Sequence, residues 1–150
     1  MRASVARIKN PVLEVLLFRV AGVEYGVELG QVVGLVRDLP NQRTAPVGGD
    51  PHLMLFEGCH VPVFPADDFM RDVGPCSVCP REAIIFDDGG GYYGMAVDGT
   101  GSVLEVTVGD DLYVFPPQDV SDETPCRPWG WLATGDKPVL LLDMSRVLVH

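Results

Sequence analysis

Leu16-Leu17-Phe18, followed by Gly22, Tyr25-Gly26, Val27 and Leu29, is the stretch on which the fold turns, because the chain repeats it about 68 residues later. Ile84-Ile85-Phe86 is followed there by Gly90, Tyr93-Gly94, Met95 and Val97. Glycine, aromatic and aliphatic positions recur together, in one register. A second segment extends the match: His60-Val61-Pro62-Val63-Phe64 with Asp67 returns as Lys137-Pro138-Val139-Leu140 with Asp143. Each half therefore reads as an opening hairpin and a closing Pro-Val strand that leads into an aspartate.

Working outward, the apolar runs are short and the punctuation is dense. Among 150 residues there are 17 Gly and 13 Pro, placed between the runs, and 47% of the chain is apolar. That is the composition of many short strands, and the expected class is all-β. A chain of this length buries roughly two-thirds of its unfolded surface, enough for one domain or two small fused ones. Strands are expected at 12–20 and 23–27 around Ala21-Gly22, at 31–37, and at 53–56 and 61–64 around the turn that begins Glu57-Gly58. In the second half they are expected at 82–87, 92–97, 102–108, 112–115, 129–133 and 138–142. Short helical turns are expected at 66–71 and from Asp143, a plausible N-cap, to Leu148. The boundaries that follow are a first half at 12–71, a linker at 72–81 with Gly74, Pro75 and Pro80, and a second half at 82–148. Each half supplies about five strands, which suits a small barrel, and two barrels of this size call for a shared apolar interface.

The formal net charge of -10 repels phosphate backbones and anionic lipid, so neither nucleic acid nor a polybasic membrane contact is expected. Arg2, Arg7 and Lys9 make the first nine residues locally basic, but Asn10-Pro11 and Glu14 interrupt before an apolar stretch of signal or membrane-span length develops. The expectation is a cytoplasmic protein with a short N-terminal arm, and with Cys59, Cys76, Cys79 and Cys126 as free thiols.

The order of the hairpins, the Tyr-Gly pairs and the Pro-Val strands resembles that of CheW-like domains over nearly the whole chain, about Leu13 to Leu148. The second half carries the more specific likeness. Gly94-Met95-Ala96-Val97-Asp98, then Val103-Leu104-Glu105-Val106, is similar to a Gly-aliphatic-x-Val-Asp and Val-x-Glu-Val pattern of the family. Trp129-Gly130-Trp131 and Val139-Leu140-Leu141-Leu142-Asp143 are similar to its closing hairpin. The resemblance implies a single domain over 1–150 made of two SH3-like five-stranded β-barrels. It also implies a cytoplasmic signalling adaptor without enzymatic activity or cofactor, which joins the cytoplasmic tips of chemoreceptors to the regulatory domain of a CheA-type histidine kinase in a chemotaxis or other two-component pathway, with no direct membrane insertion. Leu29, Val32 and Val36 lie where similar proteins meet the kinase, although strand alternation equally allows them to be core. The first half departs from the family. Leu55-Phe56-Glu57-Gly58 stands in place of Asn-Leu-Arg-Gly, so Glu57 reverses a charge; Gly34 stands in place of a glutamate, and Pro65 in place of the aspartate after the Pro-Val strand. Glu57 is therefore a candidate partner-selecting residue.

Other constellations in the chain have simpler readings. Cys76-Ser77-Val78-Cys79 has the spacing of half a zinc or redox site, and a metal- or redox-sensing module is the alternative reading; a single pair defines no metal centre, and linker thiols are the simpler reading. Asp87-Asp88-Gly89-Gly90-Gly91 joins two strands, whereas phosphate-binding glycine loops precede a helix, so it reads as a hairpin turn. Asp67-Asp68 and Asp110-Asp111 lack the spacing of a calcium loop. No serine lies in a nucleophile elbow. Trp129 and Trp131, two apart, are expected on one strand face, either as a binding platform or, the better reading, as buried barrel plugs.

Overall fold

The computed structural model describes residues 11–39, 43–44, 52–66, 69, 81–87, 89–116, 127–133 and 135–144. The first half contributes β1 (Val12–Val20), β2 (Val23–Glu28), a 3-10 turn at Leu29–Gln31, β3 (Val32–Val36), β4 (Arg43–Thr44), β5 (His52–Phe56) and β6 (Cys59–Pro65). The second contributes β7 (Glu82–Asp87), β8 (Tyr92–Val97), β9 (Gly99–Thr107), β10 (Leu112–Val114), β11 (Arg127–Leu132) and β12 (Val139–Asp143). The chain is all-β, as its glycine and proline spacing predicts. The differences lie in β4, which falls in the stretch 38–52 where no strand was expected, and in β9 and β11, which begin at Gly99 and Arg127 rather than at Ser102 and Trp129.

The two repeated hairpins pair identically. Leu16, Leu17 and Phe18 face Val27, Gly26 and Tyr25; Ile84, Ile85 and Phe86 face Met95, Gly94 and Tyr93. Ala21 and Gly22 close the first hairpin with φ of 53° and 80°, the pair of left-handed positions that matches the twist of adjoining strands. In the second hairpin the Asp87 carboxylate accepts the Gly89 N–H at 2.8 Å, and the turn that the Asp-Asp-Gly run predicts is formed.

Strand order corrects the expectation that 12–71 and 82–148 each build their own barrel. One curled sheet runs β10-β11-β12-β2-β1-β9 and the other β3-β7-β8-β6-β5-β4, so each hairpin is embedded among strands of the opposite half. The cause is geometric. β2 pairs in parallel with β12, and β8 in parallel with β6, and a parallel neighbour must arrive by a long crossover rather than through a tight turn. Among the described residues the two curled sheets hold six strands each, in keeping with the expected pair of small barrels of about five strands. The residues of the expected linker, apart from Arg81, lie outside the described residues, as do those of the expected C-terminal helical turn beyond Met144.

The same registers correct the second repeated segment by two residues. Leu141 lies beside Gly26, and Val63 beside Gly94, so Val63 corresponds to Leu141 rather than to Val139, and Pro65 to Asp143. Packing agrees: a Cβ on Gly26 would sit 2.7 Å from Leu141 Cδ2, and one on Gly94 would sit 3.5 Å from Val63 Cγ2.

Three apolar layers result. Val15, Leu17, Leu112, Leu132, Val139 and Leu141 fill one barrel. Met54, Val61, Val63, Ala83, Ile85 and Ala96 fill the other. Between the sheets, equivalent residues share one cluster: Leu16 and Ile84, Phe18 and Phe86, Tyr25 and Tyr93, and Val27 and Met95 all belong to it. The centre of β1 is therefore buried on both faces, which is why it reads as a continuous apolar run and not as an alternation. Each such side chain contributes roughly 1.5–3 kcal/mol through burial. Tyr93 adds a directional tie, its hydroxyl donating to the Met144 carbonyl at 2.8 Å across the two sheets.

Candidate functional site

The candidate partner residues cluster around β3, an edge strand of the sheet β3-β7-β8-β6-β5-β4, and the turn that leads into it. β2 ends at Glu28, and the 3-10 turn swings the chain from one sheet to the other. Gln31 holds this crossing: its amide donates to the Asp143 carboxylate at 3.2 Å and accepts the Met144 N–H at 3.0 Å. Leu29 and Val32, at the two ends of the turn, are half-buried and rest on the shared core, each with one side available to solvent. Val36 differs from them. It is only 7% exposed and lies inside the barrel, so the alternation of β3 has made it a core residue.

Val33, which the sequence did not single out, is 38% exposed on this edge. Its neighbour Gly34 is open only in a formal sense, since a Cβ there would lie 2.5 Å from Phe56 Cζ. The ring of Phe56 thus lies over the strand at the position where the resemblance led one to expect an acid. Phe56 also meets Tyr92 edge-on with centroids 6.1 Å apart, and Tyr92 is 40% exposed. A lone glycine inside an apolar strand is the signal that could have located this contact. Glu57 follows Phe56 at the tip of the β5–β6 turn, exposed, with φ of 50°. The structure therefore joins Glu57 through Phe56 to β3, and it places Leu29 and Val32 at the beginning of the same strand.

Asp98, part of the motif behind the family likeness, has an architectural task. Its N–H donates to the Arg19 carbonyl at 3.0 Å and its carboxylate accepts the Ala21 N–H at 2.8 Å, which pins the β8–β9 crossing to the first hairpin turn. The tryptophans part company. A register shift between Pro128 and Gly130 breaks the alternation of β11, so Trp129 packs towards the barrel interior while Trp131 stacks on exposed Tyr113, with centroids 4.9 Å apart. Cys59 is a free, exposed thiol on β6, while Cys76, Cys79 and Cys126 lie outside the described residues. Among the described residues no group of three or more His, Cys, Asp or Glu side chains is arranged to hold a metal ion. No helix among them is long and apolar enough to cross a membrane.

Two curled sheets sharing an apolar interface, with exchanged hairpins, define a CheW-like double-barrel fold. Comparison with solved structures identifies the same architecture in the scaffolding protein TtCheW from Thermoanaerobacter tengcongensis, with a TM-score of 0.70 over 95% of this chain and 94% of that one, at 18% sequence identity. No model of a known protein family matches the chain, and no curated protein matches it. At that identity the likeness lies in the fold.

Proposed function

We propose that this chain is a non-enzymatic signalling adaptor that couples chemoreceptors to a CheA-type histidine kinase in a chemosensory pathway, acting in the cytoplasm beside the receptor tips. The observation that carries the reading is the end-to-end structural likeness to a solved scaffolding protein, which extends over both barrels and the crossings between them. The surface offered to the kinase regulatory domain centres on Leu29 and Val32, with exposed Val33 beside them. Apolar side chains near the middle of a contact carry most of its binding energy. Val36 supports this surface from within the barrel. Glu57, at the turn tip, selects among partners by charge, because a carboxylate there repels an acidic group that an arginine would attract.

The test is a calorimetric titration against the regulatory domain of the CheA-type kinase from the same source. A Kd in the micromolar range or tighter, abolished by Leu29→Arg in a protein that keeps its native circular dichroism, is the expected result. Absence of binding by the unaltered protein would overturn the adaptor reading. Glu57→Arg is expected to shift the kinase affinity by at least threefold, and equal affinity of the two proteins would remove Glu57 from the partner surface.

A further inference from the structure

Five residues stand abreast across one sheet, directly opposite one another on successive strands: Tyr113 of β10, Trp131 of β11, Leu140 of β12, Tyr25 of β2 and Phe18 of β1. Residues paired in this way share a face, and here it is the outer one, because Leu112, Leu132 and Val139 on the same strands fill the barrel. The row is covered at one end only. Phe18 and Tyr25 stack at 5.9 Å within the shared core, and Leu140 is half-buried at its margin. Beyond Leu140 the rings of Trp131 and Tyr113 stack at 4.9 Å, with Trp131 half-buried and Tyr113 39% exposed. A stacked aromatic pair thus continues the apolar seam out onto the surface.

The repeat shows that the fold does not require these rings. Leu141 corresponds to Val63, so Leu140 corresponds to Pro62; Leu53 stands opposite Pro62, and Thr44 opposite Leu53. Thr44, Leu53 and Pro62 therefore occupy the places of Tyr113, Trp131 and Leu140, and the first barrel forms its sheet without an aromatic pair there. The border of the stack is acidic. The Tyr113 hydroxyl donates to the Asp110 carbonyl at 3.0 Å, and the Asp111 carbonyl accepts the N–H of Ala133, just past Trp131, at 2.8 Å, which sets Asp110 and Asp111 at one edge of the rings. With Asp136 in the adjoining turn they make three exposed carboxylates against one exposed cation, Lys137. Among the described residues none of these carboxylates has an ion pair.

We infer that the Trp131–Tyr113 stack is the docking site of an arginine-bearing segment of a protein partner, with the guanidinium flat on the rings and the carboxylates of Asp110 and Asp111 as its counter-charge. Aromatic faces attract cations, and a planar guanidinium both stacks on them and bonds a carboxylate through two N–H groups, which a lysine ammonium cannot do. The acidic border and the net charge of -10 repel phosphate and anionic lipid, which disfavours nucleic acid and membrane as occupants. None of these residues belongs to the surface offered to the kinase at Leu29, Val32 and Val33, so the inference goes beyond the adaptor reading and does not depend on it.

The experiment titrates the isotope-labelled full chain with tetra-arginine, tetralysine and tetraglutamate peptides and follows the Trp131 indole N–H and the Tyr113 and Leu140 amides by NMR. Saturable movement with tetra-arginine is expected, at an affinity about three- to tenfold higher than that of tetralysine, which carries the same charge, and no movement with tetraglutamate. Trp131→Leu, with native circular dichroism, is expected to weaken tetra-arginine binding about tenfold; Tyr113→Leu, on the short edge strand, gives the same reading if Trp131→Leu does not fold. Unchanged Trp131 and Tyr113 resonances would overturn the proposal. Equal affinity for the arginine and lysine peptides, lost in raised salt, would reduce the effect to net charge and overturn it too. Resonances that move with protein concentration in the absence of peptide would assign the face to a second copy of the chain, and would overturn it as well.

Discussion

Glu14 and Glu82 stand at the same place in two repeated hairpins, and only the second is tied down. Glu82 is held by the backbone and hydroxyl of Thr100, while Glu14 opens onto a groove. The position equivalent to Thr100 across the repeat is Val32, which offers no hydroxyl. Across from Glu82, Val97 is buried in the shared core; the corresponding Leu29 is half-buried beside the groove. The inner faces of the two hairpins are nearly interchangeable and the rims are not. Interior positions are bound by packing on both sides of a sheet, so a change there is felt at once, whereas a rim position can diverge to meet a partner.

The comparison is most exposed to failure in the shared core. Phe18→Ala and Phe86→Ala are expected to cost about 3–5 kcal/mol each, and to within about 1 kcal/mol the same amount, because they fill equivalent places in one cluster. Urea denaturation measures both, and strongly unequal losses would break the equivalence of the hairpins. A smaller effect sharpens it. Gly26→Ala drives a methyl against Leu141 and Val15 at 2.7 and 2.8 Å, both buried, and is expected to cost about 1–3 kcal/mol. Gly94→Ala meets chiefly the terminal methyl of Met54 at 2.9 Å, which can rotate away, so its cost is expected to be under about 1 kcal/mol. Thermal melts of the pair should separate by several degrees.

At the rim, Glu82→Ala is expected to lose about 1–2 kcal/mol, since it leaves the Thr100 N–H without its acceptor. Glu14→Ala should change stability by less than about 0.5 kcal/mol, because it also removes the repulsion from Glu105. Equal losses in denaturation would show that Glu14 has a partner comparable to Thr100. The smallest expected effect is a gain. Glu57 holds φ of 50° beside Gly58 at 78°, positions that favour Asn-Gly, so Glu57→Asn should stabilise by about 0.5 kcal/mol, seen as a higher melting temperature.

Much of this protein was legible without its coordinates. The recurrence of Phe-x-x-x-Gly with Tyr-Gly located both hairpins and paired their residues in the observed register, because period-two alternation and turn chemistry act over a few residues. Of the candidate site, Leu29, Val32 and Glu57 are reachable by solvent as the partner reading needs, and Val36 is not, a difference that depends on which way β3 faces. The closing strands were aligned two residues out, since Pro-Val and the aspartates repeat closely enough to suggest a register that only the parallel pairing with β2 and β8 decides. The tryptophans were placed on one face by an alternation that a bulge at Trp129 breaks.

By itself, then, the amino-acid order determined the all-β class, the doubled hairpin and the need for an apolar seam, all of which follow from local periodicity and from the amount of apolar surface to be covered. Tertiary structure alone decided that the hairpins change places between the barrels, that Phe56 covers Gly34, and that Leu29 stands at an acidic groove. Those outcomes depend on contacts between residues far apart in the chain, which no local pattern encodes.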